Sequence, residues 1–152
     1  MKFAAAPPNN HGLLTKYFGI PGNFVYKVSH QVGLKEAVLI EPLAVAVHAN
    51  RQFGVNQAQT VIIFGSGIIG LLCAAVAKAS SAGRVIVVDI MAPKLEFAKN
   101  YFNSGNVSTF LSTITNSPDD TAARSRFEFN IPHGCDVVIE ASGAESSVLR
   151  ME

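Results

Sequence analysis

The stretch Thr60-Val61-Ile62-Ile63-Phe64-Gly65-Ser66-Gly67-Ile68-Ile69-Gly70 decides how this chain folds. Residues 60–64 are a short run of mainly β-branched and aromatic side chains, the pattern of a strand buried on both faces. Three glycines follow at the spacing G-x-G-x-x-G. Gly65 permits a tight turn, Gly67 leaves the backbone bare for a pyrophosphate, and Gly70 lets the next helix pack close to the strand. Residues 68–80 are apolar almost all round and predict a well-buried helix. Its first N–H groups, at the positive end of the helix dipole, suit an anion.

Downstream, Arg84-Val85-Ile86-Val87-Val88 predicts a second buried strand that ends at Asp89, 19 residues after Gly70. A carboxylate there can accept bonds from both hydroxyls of an adenosine ribose, and it repels the extra phosphate of NADP. Ile90 and Met91 follow, with no adjacent arginine to favour that phosphate, and Lys94 stands within reach of the adenosine side. Glycine spacing alone is weakly diagnostic; the strand before it, the helix after it and the acid closing the next strand supply its context. Methyltransferases that bind S-adenosylmethionine share this geometry. Many of them carry an acidic residue just before the loop, where this chain has Phe64.

Further out, residues 92–101 predict a helix with Pro93 in its first turn, and residues 107–111 a weaker strand. Ser117-Pro118-Asp119-Asp120 marks the start of a short helix reaching Phe127. Residues 136–140 predict another buried strand, 141–144 the turn after it, and the last residues the start of a helix. Upstream, residues 35–52 predict one helix with Pro42 near its start, and Phe24-Val25-Tyr26-Lys27-Val28 a strand. Strands alternating with helices predict an α/β fold, a partial doubly wound parallel sheet.

Hydrophobic residues make up 49% of the 152, enough for a real core, and the formal net charge is only +1. No Lys/Arg cluster is present, which argues against nucleic acid and membrane surfaces as partners. Cys73 and Cys135 form no C-x-x-C pair and are expected to be free thiols. Pro7-Pro8 interrupts the short apolar N-terminus, so no signal peptide is read there, and residues 68–77 are too short to span a bilayer. A cytoplasmic location is expected.

Glu41-Pro42-Leu43-Ala44-Val45-Ala46-Val47-His48-Ala49 resembles a segment of the polyol dehydrogenases, within the zinc-dependent medium-chain alcohol dehydrogenase superfamily. The likeness extends through residues 3–8, 61–72, 87–90, 94–99 and 136–144, and so covers most of the chain except 103–130. Fungal xylitol dehydrogenases (D-xylulose reductases) look nearest, then L-arabinitol dehydrogenases, with sorbitol dehydrogenases in the same branch. The resemblance implies that Glu41 lies beside a catalytic zinc. It also implies that Ile69 and Asp89 contact NAD and that Lys94 lies near the adenosine ribose; Ile68, between the loop glycines, joins this set. In that family zinc polarises a polyol alcohol, which loses its hydroxyl proton, passes a hydride to NAD and becomes a ketose. Residues 1–47 would then be the end of a GroES-like catalytic domain with its connecting helix, and 48–152 an NAD-binding Rossmann domain.

The chain also departs from the family. The zinc ligands, a Cys and a His-Glu pair, lie in the family before the match to Met1, and the structural-zinc cysteines have no counterpart. No metal ligand is therefore assigned, and His48 reads as a packed helix histidine. Later Rossmann strands are expected beyond Glu152, which would leave the strand at 136–140 as an exposed edge. These expectations make the chain a fragment of an NAD-dependent polyol dehydrogenase, inactive alone. The alternative is a non-catalytic nucleotide- or partner-binding remnant, and homo-oligomerisation stays open. A zinc-free, NADPH-preferring quinone reductase is disfavoured by Asp89.

Overall fold

Val61, Ile63, Val85 and Val87 are fully buried, and they lie on neighbouring parallel strands at the centre of the fold. The computed structural model describes residues 5–6, 10–103, 105–113 and 118–144. The chain divides into two units, residues 1–37 and 38–152. In the first, β1 (Ala5–Ala6) pairs antiparallel with β2 (Asn10–His11), a 3-10 turn spans Gly22–Phe24, and α1 covers Leu34–Ala37.

The second unit runs α2 (Ile40–Gln52), β3 (Thr60–Phe64), α3 (Ile68–Ala79), β4 (Arg84–Asp89), α4 (Ala92–Phe102), β5 (Val107–Leu111), α5 (Pro118–Glu128) and β6 (Val137–Glu140). Its four strands form a parallel sheet in the order β5-β4-β3-β6. The fourth strand thus returns beside the first, as a doubly wound sheet requires. The expected strands at 60–64, 84–89, 107–111 and 136–140 and the helices at 68–80, 92–101 and 118–127 are present within a residue or two at each end.

Alternate residues separate two apolar layers. Val61, Ile63, Val85, Val87, Val137 and Ile139 pack with α2, α3 and α4 through Ala46, Cys73, Ala74, Ala77 and Leu95. Ile62, Phe64, Ile86, Val88 and Phe110 face the other way, towards Ile131 and Phe129. A cavity of about 250 Å³ opens on this second side between α5 and the sheet. None of Gly65 to Gly70, Asp89 or Lys94 lines it. Replacing Ile63 by Val removes one fully buried methylene and is expected to destabilise by about 1 kcal/mol, read as a lower urea midpoint at unchanged slope.

Three expectations need correction. Phe24–Val28 is not a strand: only Gly22–Phe24 is ordered as a 3-10 turn, and no strand pairs with the segment among the described residues. An extended pattern without a partner leaves its backbone groups unpaired. The single helix over 35–52 is two, because Pro42 has no N–H and its ring would strike the carbonyl of Val38 in a continuous helix. Pro42 instead occupies the first turn of α2. Finally, α3 is buried along one stripe, Gly70, Cys73, Ala74 and Ala77, rather than all round. The two units are divided between residues 37 and 38, so α2 lies whole in the second. The helix expected after residue 144 lies outside the described residues.

Candidate functional site

The glycine loop sits where the parallel strands end. Gly65 follows β3 with φ +97°, a left-handed conformation that favours glycine. A Cβ on Gly65 would also stand 2.7 Å from the Ala141 carbonyl oxygen, in the turn after β6. Gly70, in the first turn of α3, has no room at all: its Cβ would run into the Gly65 carbonyl oxygen. These two glycines are demanded by the fold itself.

Gly67 differs. Its φ is −72°, open to any residue, and an added Cβ would meet nothing within 4 Å. It is the N-cap of α3, with no side-chain cap and no acidic residue in the first turn. Four N–H groups at a helix start lack intrahelical partners, and here no side chain caps them. Ile68 is exposed and Ile69 half-buried at the same end. Uncapped N–H groups beside bare backbone form a cradle that fits a dinucleotide's pyrophosphate.

Asp89 closes β4 next to this cradle. Its Oδ2 accepts the Ser66 N–H at 2.8 Å and the Ser66 hydroxyl at 2.7 Å; its Oδ1 accepts the Met91 N–H at 2.9 Å. Partial burial pushes the carboxyl pKa up, but the two Ser66 bonds, the Met91 bond and the charge of Lys94 together outweigh burial and hold it below the ordinary aspartate value. A lowered carboxyl stabilises the fold above its unfolded pKa, and that contribution is lost as pH falls through the lower folded value. An NMR pH titration of the free chain should therefore find Asp89 still ionised at the ordinary aspartate value. In Asp89→Asn this part of the acid destabilisation should be absent.

The structure thus brings together Gly65, Gly67, Ile68, Ile69, Gly70, Asp89 and Lys94 at one end of the sheet. Glu41 is exposed in the first turn of α2, and no hydrogen bond among the described residues joins it to the loop. His48 is exposed on α2 rather than packed. Cys73 is a free, buried thiol and Cys135 a free, half-buried one; burial raises the pKa of both, and Asp136 adds to it at Cys135.

Two features were missed in the sequence. Ser66, only 4% exposed, is the partner of Asp89. Glu140 ties down the turn after β6, accepting the Ser142 N–H at 2.7 Å and the Gly143 N–H at 3.2 Å. A hydroxyl between two loop glycines, with an acid closing the next strand, was the available signal for the first.

A zinc site finds no such support. Among the described residues, no group of three or more His, Cys, Asp or Glu side chains could hold a metal ion. No helix among them is long and apolar enough to cross a membrane.

No family model matches the chain. It is 49% identical over 148 residues to the protein named probable D-xylulose reductase A of Neosartorya fischeri, covering 97% of this chain and 40% of that protein. The chain therefore spans about two fifths of the length of the curated relatives it matches. An Escherichia coli oxidoreductase/dehydrogenase of unknown specificity has the same fold, with a TM-score of 0.78 and 32% identity, over 95% of this chain and 39% of the other. An alcohol dehydrogenase of the same species, solved with NADH, also gives a TM-score of 0.78, at 26% identity, over 92% and 39% of the two chains. A putative zinc-binding dehydrogenase of Sinorhizobium meliloti, solved bound to NADP, is similar as well, with a TM-score of 0.59 and 31% identity over 70% of this chain and 30% of the other. By sequence, then, this chain is similar to proteins named D-xylulose reductase, and by fold to solved dehydrogenases.

Proposed function

We propose that this chain is the NAD-binding part of a polyol dehydrogenase whose substrate is xylitol, sorbitol or L-arabinitol. The observation that supports this most is the open backbone at Gly67, set at the uncapped start of α3 with Asp89 beside it. In this reading the α3 N–H groups and Gly67 hold the pyrophosphate, Ile68 and Ile69 flank it, and Asp89 with Lys94 meets the adenosine ribose. The nicotinamide, when bound, accepts the hydride that leaves the polyol carbon. Residues 1–47 are proposed as catalytic-domain residues and connecting helix, with Glu41 beside the family's zinc. Among the described residues no group of three His, Cys, Asp or Glu side chains could hold that zinc, and we expect no polyol turnover by the 152-residue chain alone.

Titrating the 152-residue chain with NAD and NADP tests this. We expect NAD to bind more tightly, and Asp89→Asn to weaken NAD roughly three- to tenfold while improving NADP. Equal affinities for the two cofactors, or an unchanged preference in Asp89→Asn, would refute the assignment.

A second reading has its own support. Among the described residues, β6 stands at the end of the sheet order, beside β3. An unpaired strand edge is a template for another chain, which fits a non-catalytic role on a longer relative. Co-purification of the chain with a full-length polyol dehydrogenase, lost on placing Pro at Val138, would favour that role.

A further inference from the structure

We propose that Ser66 sets the cofactor preference of this site, by fixing which oxygen of Asp89 faces the nucleotide. The inference rests on the NAD-binding reading above. An ionised carboxylate has about four acceptor positions. Ser66 fills two of them on one oxygen, with its N–H at 2.8 Å and its hydroxyl at 2.7 Å, and Met91 fills one on the other. Oδ2 is thereby turned towards the loop and fully engaged. Oδ1 keeps one open position and is the oxygen presented outward.

Ser66 is placed to hold the acid without touching the ligand. It is 4% exposed and lies between Gly65, locked against Ala141, and Gly67, the N-cap of α3. The same residue is thus joined covalently to the phosphate cradle and by its side chain to the ribose acid. Any shift of the loop moves the carboxylate with it. Without the hydroxyl, Oδ2 keeps the Ser66 N–H alone and regains a free position. The carboxylate is then held by one bond on each oxygen, and its distance from a 2′-phosphate is less tightly set. Ser66 is a positioning residue: its hydroxyl acts only through Asp89.

The test compares NAD and NADP dissociation constants for the 152-residue chain and its Ser66→Ala, Ser66→Thr and Asp89→Asn variants, with a thermal melt of each. The expected result is a three- to tenfold loss of the NAD-over-NADP ratio in Ser66→Ala and its recovery in Ser66→Thr. A purely structural serine would lower the melting temperature and weaken both cofactors alike, leaving the ratio unchanged, and that outcome overturns the inference. Ser66→Gly removes the hydroxyl without adding volume and gives the same reading if Ser66→Thr fails to fold. An unchanged ratio in Ser66→Ala alongside a collapsed ratio in Asp89→Asn defeats the role of Ser66 and leaves the NAD-binding reading standing. An unchanged ratio in Asp89→Asn defeats both.

Discussion

Gly70→Ala is expected to destabilise the chain by about 3 kcal/mol, near the top of the range for overpacking. The added methyl would be driven into the Gly65 carbonyl oxygen, which is backbone and cannot swing aside like a side chain. Relief requires α3 to lift away from β3. The helix is held there by Cys73, Ala74 and Ala77, all without exposed surface, so lifting it uncovers the centre of the first apolar layer. A loss of this size lowers the melting temperature of a domain this long by about 10 °C. Circular dichroism melts of the two chains would show it. A melting temperature within 2–3 °C of the parent would mean that α3 has slack that its packing does not reveal.

Gly67→Ala should do the opposite, leaving the fold and removing the ligand. The backbone at Gly67 has an ordinary φ and nothing within 4 Å of the new methyl, so stability should stay within about 0.5 kcal/mol of the parent. In the proposed NAD complex the same methyl occupies the space in which the pyrophosphate would meet the α3 N–H groups. NAD affinity should fall roughly a hundredfold, equivalent to about 2.7 kcal/mol of lost contact. Calorimetric titration against NAD, paired with the melt, separates the two effects. Two glycines three residues apart would then fail for unrelated reasons, one through the chain's own backbone and one through what the chain binds.

Much of the second unit was legible because parallel strands buried on both faces read as unbroken apolar runs. Thr60–Phe64 and Arg84–Asp89 are of this kind, and each appears where its sequence places it. Helix ends were legible where punctuation is strong, as with Pro93 in the first turn of α4 and Asn103 taking the left-handed conformation that stops it. Residues 24–28 were misread because a strand is defined by its neighbour, and alternation along one segment carries no information about a partner. The break between α1 and α2 was written in Pro42, but its effect falls on Val38, four residues earlier. Glycine roles were legible as a set and not singly. That Gly65 and Gly70 answer to each other, and Gly67 to neither, depends on distances that spacing does not express. Ser66 was passed over because a motif position written as "x" conceals the residue that fills it.

The order of strands also bears on when the site comes into being. β3 pairs with β4 through a short crossover, Val61 meeting Val85, whereas β6 is far away along the chain: the Thr60 N–H to Asp136 Oδ2 bond spans 76 residues. Closing the longer loop costs more chain entropy, so β3, α3 and β4 can assemble while β6 is still searching for its place. The Ser66–Asp89 bonds belong to that early assembly. The Ala141 turn that seals Gly65 arrives only with β6. Pairing in that order would leave the glycine loop with its acid in place and one wall missing until β6 docks. Slowing β6 docking should delay cofactor binding long after most helical signal has returned.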